Sequence, residues 1–138
     1  MSTPLMSETT THGIRVGAAA TYLHEESQPE ERRFVFGYRI VIVNQSDQPA
    51  QLISRHWRII DANGEEHTVD GPGVVGQTPR LAPGEGFKYA SACPLRTPWG
   101  TMEGTYLMRR DDGTEFNAAV GRFFLTMPKE EKVEASKA

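Results

Sequence analysis

Residues 33–44 read RFVFGYRIVIVN. Along an extended chain Phe34, Phe36, Tyr38, Ile40 and Ile42 fall on one side, and Val35, Val41 and Val43 on the other. Side chains alternate across a strand, so a run that is apolar on both sides belongs near the middle of a sheet. Working outward, the runs 14–23, 51–61, 66–69, 86–92, 100–109 and 115–125 are also β-rich and separated by turn residues, giving about seven strands. Asn63-Gly64 and Asp112-Gly113 read as type I′ hairpin turns, whose two central residues both need positive φ. NQSDQP, residues 44–49, reads as a longer connection. No segment sustains a helical period over about ten residues. Short strands joined by hairpins, without βαβ alternation, point to an all-β, antiparallel β-sandwich.

A second stretch tests that reading. Residues 69–79, VDGPGVVGQTP, carry G-x-G-x-x-G at Gly71, Gly73 and Gly76, and nearly match a P-loop, with Gln77 where the lysine would stand. In a dinucleotide-binding fold such glycines leave a strand and open a helix, whose free N–H groups hold the pyrophosphate. Pro79 and Pro83 follow at once, and proline lacks a donor and disfavours helix in the residue before it. Gln77 brings no charge to a phosphate. The run is therefore expected to be a tight connection between strands. Gly71, Gly73 and Gly76 remain a candidate ligand site, because successive glycine amides can form a small anion nest without a helix.

Composition bounds the rest. A chain of 138 residues is one domain with room for a single core. A net charge of −3 argues against a general nucleic-acid binder. The sole cysteine, Cys93, supplies no disulfide, CxxC pair or thiolate cage, which suits a reducing compartment. The first residues lack a signal-peptide pattern, and no apolar run approaches the ~18 residues of a membrane span. The expectation is a cytoplasmic protein without membrane insertion. Residues 1–12, rich in Ser and Thr, and 128–138, PKEEKVEASKA, are expected to be mobile tails around a domain spanning 13–127.

Three segments together, SQPEERRFVFGYRIVIVN (27–44), QLISRHWRIIDANGEEHTVDGPGVVGQTPRLAPGEGFKYAS (51–91) and TPWGTMEGTYLM (97–108), resemble the ApaG (CorD) family over roughly residues 13–125. Against the family pattern, Thr78 stands in place of a glutamine, Ala92 in place of a glycine, and Gly121-Arg122 in place of an Ile-Pro-like entry to the last strand. The resemblance implies a fibronectin type III-like sandwich, an association with cobalt resistance and magnesium efflux, and a gene neighbourhood shared with diadenosine tetraphosphate hydrolysis. Similar domains in eukaryotic F-box proteins and a polymerase-interacting protein imply a protein-interaction module. Fold alone does not choose among these.

Candidate chemistry is sparse. On the strand 51–61, Ile53, Trp57 and Ile59 are expected on the core face, and Ser54, His56 and Arg58 on the other. Ser54 and His56, two residues apart on a strand, sit about 7 Å apart, too far for an activated serine. No catalytic residue is assigned. His12, His24, His56 and His67 lack metal-ligand spacing.

Counting strand crossings places the glycine run at one end with Asp47, Asp111 and Asp112, opposite the end holding 25–33, Asn63-Gly64 and 93–99. Asp70, Asp111 and Asp112 are thus a candidate site for weakly held Mg²⁺ or Co²⁺, and no other cofactor is expected. Arg80, Arg109 and Arg110 are their expected counter-charges. Trp99, between proline and glycine, is a candidate contact for a protein partner. The leading expectation is a non-enzymatic binding module, for which a homo-oligomer is also compatible. The alternative is an enzyme or sensor of pyrophosphate-containing nucleotides.

Overall fold

A computed structural model describes residues 5–128. Their strands are β1 (Ser7–Thr11), β2 (Ile14–Tyr22), β3 (Phe34–Asn44), β4 (Ala50–Asp61), β5 (Glu66–Pro72), β6 (Arg80–Leu81), β7 (Gly86–Leu95), β8 (Trp99–Arg110) and β9 (Glu115–Thr126). They form two antiparallel sheets, ordered β1-β2-β3-β7 and β5-β4-β8-β9, with β6 also paired to β4. The β-sandwich class holds, with nine strands among the described residues rather than seven.

The two additional strands are β1 and β6. β1 lies in the expected N-terminal tail, whose residues 7–11 are instead paired to β2. The strand was hidden because its sequence, SETTT, has no apolar face, and because its turn was unrecognised. His12 and Gly13 both adopt positive φ, +47° and +81°, so this is a two-residue hairpin of the kind that matches strand twist. Residues 1–4 and the expected C-terminal tail from 129 onward lie outside the described residues.

Both predicted type I′ turns take another form. At Asn63-Gly64 and Asp112-Gly113 only the glycine has positive φ, and the N–H groups of Asp61 and Arg110 reach the carbonyls of Glu65 and Thr114. These are three-residue loops with a left-handed glycine at the end. Buried Asp61 secures the first by accepting the Asn63 and Glu65 N–H groups.

The core lies between the sheets. Phe34, Phe36, Tyr38, Ile40 and Ile42 are buried from one side, and Trp57, Ile59, Met102, Tyr106, Met108, Phe123 and Leu125 from the other. The rings of Tyr38, Tyr106 and Phe123 meet Trp57 edge-on at centroid distances of 5.6, 6.0 and 6.2 Å. The Trp57 indole N–H is buried without a hydrogen-bond acceptor among the described residues, so this side chain serves the core through its bulk.

Ile53 departs from its expected core position. The β4–β8 register shifts between Leu52 and Ser54, a bulge that makes Ile53 the extra residue. Ala50 and Leu52 are buried before it, and Trp57 and Ile59 after it. One inserted residue exchanges the two faces of a strand. Among the described residues no helix is long and apolar enough to cross a membrane.

Candidate functional site

The two lateral edges of the sandwich differ. At one, β1 and β2 pack on β9, the Ser7 hydroxyl donates to the Gly121 carbonyl at 2.8 Å, and the Ala119 N–H donates to Thr11 Oγ1 at 3.1 Å. At the other, β5 and β7 end their sheets without lateral partners, and a cleft of about 490 Å³ opens between them.

Tyr38, Tyr89, Ser91 and Cys93 contribute one wall of this cleft, Trp57, Ile59 and Met102 the back, and Val69, Val74 and Val75 the other side. The β3–β7 register explains the first group, since Tyr38 pairs with Ser91 and Phe36 with Cys93, so alternate β7 residues face inward. Tyr89 and Tyr106 share a hydroxyl–hydroxyl hydrogen bond. Burial pushes both phenols, and more mildly Tyr38, above the ordinary tyrosine range. Burial alone pushes the Cys93 thiol up to about 11. A thiol so raised is protonated at neutral pH.

Arg55 is the cation of the cleft. Its Nη1 donates to the Pro72 and Gly73 carbonyls at 2.9 and 3.0 Å, tying β4 to the glycine run. A Cβ at Gly71 would lie 2.8 Å from Arg55 Nη2, the far end of a side chain that can shift.

The glycine run is an excursion of the sheet edge. β5 and β6 pair with successive parts of β4 in the same direction, and residues 73–79 loop out between them, opposite the Ile53 bulge. Gly73 N–H donates to the Ile53 carbonyl, and Leu52 N–H to the Pro79 carbonyl. Val74 and Gln77 exchange both backbone hydrogen bonds across Val75-Gly76. With φ of +43° and +79° at those two residues, this is a type I′ turn. Val74 is fully buried and anchors the loop, whereas Val75 is 51% exposed at the mouth of the cleft. A β-branched residue at positive φ is strained, and such strain gathers at functional sites. At Gly73 a Cβ would meet the Gln77 carbonyl at 2.2 Å.

The other connections share ends as counted, since Arg80 bonds Asp111 at one end and Ala62 N–H reaches Thr97 at the other, but the glycine run leaves partway along β4, where Gly71 pairs with Arg55 and Gly73 bonds Ile53. The candidate cation site does not assemble. Asp70 pairs with His56 halfway along the sheet, Asp111 with Arg80, and Asp112 with Thr114. Six residues separate His56 from Ala50, the partner of Arg110, a span of about 20 Å. Among the described residues no three His, Cys, Asp or Glu side chains are grouped to hold a metal ion. Of the other expected counter-charges, Arg109 pairs with Glu115, while Arg110 holds the Gln48 and His12 carbonyls. Ser54 and His56 point to no shared chemistry, His56 being bonded to Asp70.

Trp99 begins β8 and is 46% exposed. Phe124, 54% exposed, pairs with Thr101 while Trp99 pairs with Thr126, making the two aromatics diagonal neighbours. This patch lies apart from the cleft. Sequence reading missed Arg55, Tyr38, Tyr89 and Val75 as site residues. Arg55 was within reach, because it shares strand parity with Trp57 and Ile59 and so is an arginine on a core face.

A family description, the ApaG domain, matches residues 24–110. Protein ApaG of Anaeromyxobacter dehalogenans is 53% identical over 123 residues, covering 89% of this chain and 97% of that protein. Protein ApaG of Brucella canis is 45% identical, over 92% of this chain and 98% of its own length. A crystal structure of an ApaA protein from Bordetella pertussis superposes with a TM-score of 0.82 at 43% identity, covering 91% of this chain and 99% of that one.

Proposed function

This chain belongs to the ApaG domain family, and from that premise we propose that it is a non-enzymatic binding module receiving an extended segment of a protein partner in the cleft between β5 and β7. The observation that carries this reading is the asymmetry of the edges: β1 and β9 pack against each other, whereas β5 and β7 border an apolar cleft. Unpaired strand edges are the surface to which extended peptides add, and alternate side chains of such a peptide fill adjoining pockets. The association with cobalt resistance and magnesium efflux would then act through the partner, because Asp70, Asp111 and Asp112 each serve a separate local contact. A cytoplasmic setting accompanies this reading, suited by the free and buried Cys93.

The nucleotide reading has less support. A phosphate nest needs convergent free amides. In the loop the N–H groups of Gly73, Val74 and Gln77 already donate to backbone carbonyls. Amide NMR of the full chain tests both. Inorganic pyrophosphate is expected to leave residues 71–76 unshifted, and no dinucleoside polyphosphate should be turned over. A Ser91→Trp variant, filling the cleft, is expected to keep the fold and lose the native partner; partner binding that survives this change contradicts the proposal.

A further inference from the structure

The cleft does not end at Cys93. Pro94 lines both it and a second hollow of about 360 Å³, formed with Glu31, Arg32, Arg33, Leu95 and Arg96. The two meet at Pro94 and make a track that turns at the end of β7 toward β3, because Arg33 and Arg96 lie just beyond the Phe34–Leu95 pair. From Ser91 to Arg96 the track spans five residue steps, about 17 Å of extended chain. Its halves differ in character: the first is apolar, between Val69, Val75 and the Tyr38 ring, and the second sets three guanidinium groups against the single carboxylate of Glu31.

Five other exposed arginines pair with carboxylates. Arg15 has Glu8, Arg58 has Glu66, Arg80 has Asp111, Arg109 has Glu115 and Arg122 has Glu103. Arg32, Arg33 and Arg96 have no carboxylate in ion-pair distance among the described residues. This holds although Glu25, Glu26, Glu30 and Glu31 lie in the two short 3-10 turns just before them. Arg32 itself terminates the second turn in the left-handed region, φ +58°. The positive excess is confined to the lining of the hollow, since Glu25, Glu26 and Glu30 make the adjoining segment acidic, so it selects by position rather than by overall attraction.

Resting on the peptide-binding reading above, we propose that the occupant is an extended acidic peptide. One large apolar side chain enters the cleft beneath Val75, and carboxylates about three to five residues further along meet Arg33, Arg32 and Arg96. Pro94 suits the track, since it withholds an N–H from the outer edge of β7 and discourages pairing with a second copy of the strand.

The test is display selection of random dodecapeptides on the full chain, on an Arg32→Ala, Arg33→Ala, Arg96→Ala triple variant, and on Ser91→Trp. Thermal unfolding and an amide spectrum check each fold, and Val69→Arg at the cleft mouth serves as a second block. The full chain is expected to enrich peptides with one large apolar residue and at least two acidic residues downstream. The triple variant should keep the apolar preference, lose the acidic one, and bind the selected peptides about tenfold more weakly, as three exposed ion pairs allow. Apolar peptides without acidic enrichment, blocked by Ser91→Trp, would overturn the acidic occupant and leave the cleft reading standing. Peptides indifferent to both blocking variants, or no enrichment at all, would overturn both. So would an oligonucleotide that binds the three arginines in place of the peptides.

Discussion

The two edges of this sandwich solve the same problem in opposite ways. A strand at the edge of a sheet presents unpaired backbone groups, which proteins normally cover or blunt. On the β1/β9 side the covering is done by side chains across the sheets: Thr11 accepts the Ala119 N–H, and Ser7 donates to the Gly121 carbonyl. On the β5/β7 side the sheets part, and the edge is shaped by a bulge, a looped-out glycine turn and a proline. Closing an edge requires a small residue at the contact, Gly121, where a Cβ would lie 2.7 Å from Thr9 Oγ1. At the open edge the Val75-Gly76 turn holds a β-branched residue at positive φ.

The largest expected effect falls on the ring cluster that backs the open cleft and supports both edges. Trp57→Ala, at a residue only 3% exposed, should destabilise by about 3–5 kcal/mol in denaturant titration, as should Phe36→Ala. A loss below about 1 kcal/mol in both would break the face assignment on which the comparison rests.

The glycines separate the edges next. Gly73→Ala combines a φ of +56° with a backbone clash at the Gln77 carbonyl, and should cost about 3 kcal/mol together with partner binding. Gly121→Val at the closed edge should cost about 1–2 kcal/mol and leave partner binding unchanged. Equal loss of binding in both variants would erase the functional distinction between the edges.

A gain is expected at the tip of the open edge. Asn tolerates the left-handed region that a β-branched residue resists. Val75→Asn should therefore raise stability by about 0.5–1 kcal/mol while weakening partner binding, and unchanged stability would show that the turn carries no strain.

The smallest effect is electrostatic and belongs to neither edge's packing. Hydrogen bonds from Arg80, Thr114 and Arg58 hold Asp111, Asp112 and Glu66 below their ordinary values of 3.8, 3.8 and 4.5. Depressed carboxylates stabilise the fold fully above those ordinary values and lose the contribution as pH falls through the depressed ones. Acid unfolding of Asp111→Asn should consequently converge with that of the parent once the pH falls below the depressed carboxylate and differ slightly at neutral pH. Exposed pairs of this kind contribute little.

Much of the fold was legible because period-2 patterning carries directly into burial. Phe34, Phe36, Tyr38, Ile40 and Ile42 share a face in sequence and in the core. What escaped did so for physical reasons. β1 has no apolar face to reveal it, the Ile53 bulge exchanges strand faces without any sequence marker, and the type I′ turns use His12-Gly13 and Val75-Gly76 in place of the usual Asn-Gly signals. The glycines were read as a connection, and they are one, but the cleft beside them is built by residues from five strands and the loop itself. Tyr38, Arg55, Val69 and Tyr89 meet only through the packing of two sheets, which no local pattern encodes.

The contrast between the edges can be measured in the cells that make this protein. A photo-crosslinking amino acid placed at Ala92, on the open edge, should give a discrete adduct with a protein partner on irradiation. The same residue at Thr10, on the closed edge, should give none. An adduct from Thr10 without one from Ala92, or identical adducts from both, would contradict the assignment of the β5/β7 cleft as the binding surface.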